Sequence, residues 1–99
     1  MIKGVTEEQE KIIHETLSPY KNDYDFYYYG SRVKGNFSKP SDLDILIKGK
    51  EEMPYDILEK LKVLFDISRL PYIVNFADYN NMEERFYNLI KDDLVKVFE

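Results

Sequence analysis

Apolar and polar positions change rhythm several times along the chain, and each change marks an element. Thr6 followed by Gln9 reads as a capping box, and Ile12, Ile13 and Leu17 supply an apolar stripe that stops at Ser18-Pro19, so the first element is a helix. Lys21-Asn22-Asp23 is turn-like, and the aromatic run Tyr24 to Tyr29 suits a strand better than a surface helix; it ends at Gly30. Ser31 to Phe37 is short and ambiguous, one or two helical turns at most, before the Ser38-Lys39-Pro40-Ser41 loop. Leu43, Ile45 and Ile47 then alternate with Asp42, Asp44 and Leu46, the period of two of a strand, closed by Lys48-Gly49-Lys50.

Beyond Pro54 the period lengthens. Ile57, Leu58, Leu61, Leu64 and Phe65 recur at helical spacing, so a long amphipathic helix is predicted with its apolar face on the sheet. Leu70-Pro71 precedes a third strand at Tyr72 to Phe76, Asp78 to Asn81 reads as a loop, and a helix capped near Asn81 carries Phe86, Leu89 and Ile90. The apolar tail Leu94 to Phe98 is either a last strand at the sheet edge or a partner-facing segment. The order of elements predicts an α/β (α+β) domain with a small mixed sheet flanked by helices.

A length of 99 residues supports one hydrophobic core, so residues 1–99 are read as a single domain. Apolar residues at 43% and aromatics at 15% suffice for that core. A formal charge of −5 argues against a polynucleotide substrate, because non-specific nucleic-acid binding needs a positive field. The absence of cysteine excludes disulfides, thiolate metal sites and a Cys nucleophile, and fits a reducing cytoplasm. The first residues hold no apolar signal segment and no apolar run approaches a membrane span, so the expectation is an unexported protein without a membrane partner.

Three features fall close together: a Gly30-Ser31 pair directly after a strand, Arg32 beside it, and two aspartates two positions apart on the next strand. Alternation along a strand sends Asp42 and Asp44 to one face while Leu43 and Ile45 enter the core. Two close carboxylates repel unless a cation sits between them, and hard oxygen ligands suit magnesium, which keeps water and substrate phosphates in its shell. The missing ligands would come from a nucleoside triphosphate. Gly30 lets backbone approach phosphate, Ser31 offers hydroxyl and N–H, and Arg32 or Lys34 balances remaining phosphate charge. Either motif alone is more often a solvated edge or an ordinary turn; the combination, in order and in strand context, reverses those odds.

The stretch Tyr29-Gly30-Ser31-Arg32-Val33-Lys34-Gly35, followed by Ser41-Asp42-Leu43-Asp44-Ile45-Leu46-Ile47, resembles the MNT (minimal nucleotidyltransferase) group of the polymerase-β-type nucleotidyltransferase superfamily. Val33 and Phe37 are unusual for that pattern, and the likeness continues weakly through Leu70 to Val74. The resemblance implies ATP as substrate, magnesium with two ions when nucleotide is bound, Asp42 and Asp44 as metal ligands, and nucleotide contacts from Gly30, Ser31, Arg32, Lys34 and Ser41. It also implies a pairing with a HEPN-domain toxin, neutralised by adenylylation of a tyrosine. The family usually carries a third carboxylate on the strand after the long helix, and here that position is Asn75. An amide offers a neutral carbonyl but adds no charge and takes no proton, so transfer activity should suffer more than nucleotide binding. Asp78, three positions on, should face the other way and leave that gap unfilled.

Two readings therefore stand. In the first the chain is a magnesium-dependent enzyme moving AMP to a hydroxyl; in the second Asn75 has disabled transfer and the chain neutralises its toxin by complex formation. Transfer to a small molecule is a weaker third, since no second domain forms the acceptor half of a cleft. His14, between Ile13 and Leu17, is expected to pack rather than ligate, and Tyr27, Tyr28 and Tyr29 are expected to serve a strand buried on one face.

Overall fold

The computed structural model describes residue 2, residues 4–35 and residues 42–99. Helix α1 (Glu7–Leu17) opens on the capping box: Gln9 N–H donates to Thr6 Oγ1 at 3.1 Å and Thr6 N–H to Gln9 Oε1 at 3.1 Å. Strand β1 (Tyr24–Tyr29), a four-residue helix α2 (Ser31–Lys34), strand β2 (Leu43–Gly49) and helix α3 (Tyr55–Asp66) follow. Strand β3 (Val74–Asp78), helix α4 (Glu84–Ile90) and the two-residue strand β4 (Val95–Lys96) complete the order.

The sheet runs β3-β2-β1-β4, with β1 antiparallel to both β2 and β4 and β2 parallel to β3. It is the expected small mixed sheet. Alternation sorts its side chains into two unlike faces. Phe26 and Tyr28 of β1 lie opposite Ile47 and Ile45 of β2, and with Leu43 and Val74 they form the core with Ile13 and Leu17 of α1 and Leu61 and Phe65 of α3. The other face carries Tyr27 and Tyr29 opposite Leu46 and Asp44, with Asn75 and Ala77 beside them on β3. Helix α4 lies over that face: Phe86 meets the Tyr29 ring edge-on at 6.2 Å, and Lys48 Nζ donates to Tyr87 Oη at 3.1 Å.

The ends of the third strand differ from the sequence reading. It spans Val74–Asp78 rather than Tyr72 to Phe76, because Tyr72 is occupied elsewhere, its ring against Arg32 and its hydroxyl donating to Gln9 Oε1 at 3.1 Å. Asp78 ends the strand by accepting from Asn80 N–H at 2.9 Å, and a short 3-10 turn intervenes, so α4 starts at Glu84 rather than near Asn81. The tail Leu94 to Phe98, open between two roles, forms the edge strand: Val97 N–H donates to Phe26 O at 3.0 Å and Val97 is buried. His14 secures it, its protonated Nε2 donating to Val97 O at 2.6 Å while its ring stacks on Phe98. Packing was the role expected of it. No helix among the described residues is long and apolar enough to cross a membrane.

Candidate nucleotidyltransferase site

β1 ends at Tyr29 and hands the chain to Gly30, whose φ of +86° and ψ of −157° belong to a region that side chains with a Cβ avoid. The reason for glycine is also spatial. A Cβ placed on Gly30 would collide with Asp44 Oδ2, so the turn and the carboxylate share a space only glycine leaves open. From that turn α2 rises at once, Val33 and Lys34 N–H bonding back to Gly30 O at 3.1 and 3.2 Å, and Gly35 closes it in the left-handed conformation at φ +82°. The N–H of a helix's first residue has no acceptor inside the helix, so Ser31 carries donor chemistry on the turn that passes Asp44.

Asp42 lies just before β2 and Asp44 within it, and both fall on the α4 side of the sheet as their spacing required. Parallel pairing sets Asn75 beside Asp44, which puts the third-carboxylate position of the sequence reading in register with the pair. Asn75 Nδ2 donates to Asp42 Oδ2 at 2.7 Å. The Asp44 carboxyl is raised above the ordinary carboxylate range: burial is the main cause, the amide of Asn75 opposes it, and the charge of Asp42 adds to it. Tyr29, across from Asp44 on β1, has its phenol pushed up to about 12 by burial and then by the Asp44 charge. A half-buried carboxylate with another beside it is a group whose charge a cation would relieve.

No cluster of three or more His, Cys, Asp or Glu that could hold a metal occurs among the described residues. Two carboxylates, with the Asn75 amide turned so that its Nδ2 faces them, make an incomplete shell, which fits an ion that completes its coordination with water and phosphate oxygens. Asp78 does not complete the set. It pairs in register with Ile47 on the opposite face, and its oxygens accept from Met53 N–H at 2.8 Å and Asn80 N–H at 2.9 Å.

The predicted nucleotide contacts divide. Gly30 sits against Asp44, Ser31 follows it as the first residue of α2, and Lys34 is exposed at the end of α2. Arg32 turns the other way: it is 2% exposed, its Nη1 donates to Gly4 O at 2.9 Å and its guanidinium lies 4.1 Å from the Tyr72 ring centroid. Because successive residues of a helical turn point about 100° apart, Ser31 and Arg32 do not serve one target, and Arg32 braces α2 against the N-terminal segment and Tyr72. Ser41 lies outside the described residues. The sequence reading did not single out Tyr29 and Phe86, whose rings meet on the same face of the sheet as Asp44; the only signal for Tyr29 was its place directly before Gly30, and Phe86 gave none.

Comparison with known proteins agrees with this geometry. Residues 10–99 match the family described as "Polymerase beta, Nucleotidyltransferase". Over 95 residues the chain is 33% identical to the "Probable protein adenylyltransferase MntA" of Haemophilus influenzae, covering 96% of this chain and 83% of that protein. A solved toxin-antitoxin structure with AMP-PNP superposes with a TM-score of 0.73 at 18% identity, covering 91% of this chain and 73% of that one, which speaks for the fold. A Sulfolobus solfataricus protein described as a nucleotidyltransferase superposes at 0.50 with 27% identity, over 88% of this chain and 73% of its own. The chain belongs to the polymerase-β-type nucleotidyltransferases, in their MNT group.

Proposed function

We propose that this chain is an adenylyltransferase that moves AMP from ATP to a tyrosine hydroxyl of a HEPN-family toxin, acting in the cytoplasm as that toxin's antitoxin. The observation that carries the reading is the Asp44 carboxylate lodged beneath the Gly30 turn, with Asp42 on the same face. The similarity to a protein adenylyltransferase supports the choice of donor and of a protein acceptor. Asp42 and Asp44 would hold magnesium, which when bound offsets charge on the triphosphate and draws electron density from the reacting phosphorus. The Ser31 hydroxyl and N–H would bind phosphate oxygens, with Lys34 supplying positive charge. The acceptor oxygen forms a bond to the α-phosphorus, the bond from that phosphorus to the bridging oxygen breaks, and pyrophosphate leaves with the electron pair. The acceptor's proton goes to water, since the Asn75 amide cannot take it.

Asn75 also favours a second reading. Donating its Nδ2–H to Asp42, it satisfies part of the carboxylate pair without an ion, as suits an antitoxin that works by complex formation with nucleotide still bound. Magnesium-dependent transfer of labelled AMP to candidate toxins, on this protein and on Asn75→Asp, separates the two. The enzyme reading expects labelling by this protein at substoichiometric amounts, lost in Asp42→Ala. Labelling by Asn75→Asp alone, or neutralisation that survives Asp42→Ala and needs equimolar protein, would select the second.

A further inference from the structure

Strand β3 is an edge of the sheet: it pairs with β2 on one side, and its other side has no strand among the described residues. A groove of about 490 Å³ lies along this edge between α3 and the start of α4. Its floor is apolar, from Phe76 and Ala77 of β3 with Met82 and Phe86 beside them. Tyr29 also lines it and pairs with Asp44 across the strands, so the groove and the candidate carboxylates share that residue as their neighbour.

Its charge narrows what fits. Glu52, Asp78 and Glu83 line it, and no Lys or Arg does among the described residues. Such a groove repels triphosphate or a polynucleotide and attracts cations. The phosphate side is elsewhere, at Gly30, Ser31 and Lys34. An exposed strand edge is a template for backbone pairing, and side chains alternating from an added strand would meet apolar floor and acidic rim in turn.

We infer that the groove seats an extended, basic segment of the acceptor protein, which adds alongside β3 and brings its hydroxyl side chain past Tyr29 to Asp44. The inference rests on the reading of a protein acceptor and adds where that acceptor lies and what charge it carries. Tyr29 and Phe86, with rings meeting edge-on at 6.2 Å, form the wall that an incoming aromatic side chain would pack against.

The test measures binding of two short fluorescein-labelled peptides to the full chain by anisotropy without nucleotide. Each has one tyrosine, flanked in one by arginines and in the other by glutamates. The arginine peptide is expected to bind at least about tenfold tighter, and Glu52→Lys with Glu83→Lys to reverse the preference while ATP affinity stays within about twofold. Phe86→Ala is expected to weaken the arginine peptide by about tenfold and leave ATP affinity alone. Equal binding of the two peptides, no binding of either, or indifference to the charge reversal overturns the inference. So does a Phe86→Ala variant that loses ATP affinity but keeps the peptide, because the groove would then hold the nucleotide base. A basic peptide that binds here but accepts no label counts against the adenylyltransferase reading alone. Label transfer without any charge preference counts against the groove alone.

Discussion

The two faces of β2 are built from alternating residues of one short segment, yet they answer to opposite demands. Leu43, Ile45 and Ile47 are fully buried in the apolar cluster with α1 and α3, where burial itself is the gain. Asp44, one step over, is half-buried beside another carboxylate and beneath a backbone turn that admits no side chain; in the absence of a cation it is a cost to the fold. A strand can thus hold the most stabilising and the least comfortable residues of a domain side by side, because the pleat separates them completely. The difference teaches that a change on the core face should alter stability alone, whereas a change at Asp44 should trade chemistry against stability.

The sharpest way to expose this is Asp44→Asn. Transfer activity should fall by roughly 10³-fold, since metal ligation supplies several kcal/mol to the transition state and 1.36 kcal/mol is tenfold. The same variant should melt a few degrees higher than the parent in metal-free buffer, because the strained charge is gone; a lower Tm would contradict the contrast between the faces. Ile45→Ala is the mirror experiment. It should cost about 2–5 kcal/mol in urea unfolding, as for other buried large-to-small changes, with transfer per folded molecule nearly intact below the transition.

Gly30→Ala tests the junction between the faces. It forces a Cβ into Asp44 Oδ2 and into a backbone region costing about 1–3 kcal/mol for a residue other than glycine, so both stability and ATP affinity should drop together. The smallest effect is the pH dependence. The carboxyl of Asp44 has a raised pKa in the folded protein, so the folded state holds that proton where the unfolded chain has released it. Stability from this group is therefore greatest at acid pH and declines as pH rises from the ordinary value of 3.8 through the raised one. The Tm gap between Asp44→Asn and the parent should be near zero below that window and open above it, and saturating magnesium should narrow it again.

Much of this was legible in the chain. Period-two alternation across Asp42 to Ile47 gave both the strand and the convergence of its carboxylates, and the position of Asn75 emerged in register with Asp44. The capping box at Thr6 and the stripe through Leu61 and Phe65 placed α1 and α3. What escaped depended on partners distant in sequence. Arg32 looked like a phosphate ligand because charge beside a Gly-Ser turn suggests one, and only the fold shows Tyr72 and Gly4 O waiting for its guanidinium. The shift of β3 had the same origin, since nothing local reveals that Tyr72 is drawn toward Gln9. Tyr29 and Phe86 belong to segments that meet only once α4 has crossed the sheet.

The placement of β4 beside β1 has a consequence for the order of assembly. β1 is completed on one side by β2, its next strand along the chain, and on the other by β4, separated from it by all the described elements from α2 to α4. Closing so long a loop is entropically the most demanding step available to this topology, so β1, β2 and the helices packed on them should form the nucleus and Val95–Lys96 should dock late. The clasp from His14 to Val97 then acts as a latch late in folding, and amide exchange at the β4 edge should outpace exchange at the β1–β2 ladder by the largest margin in the sheet.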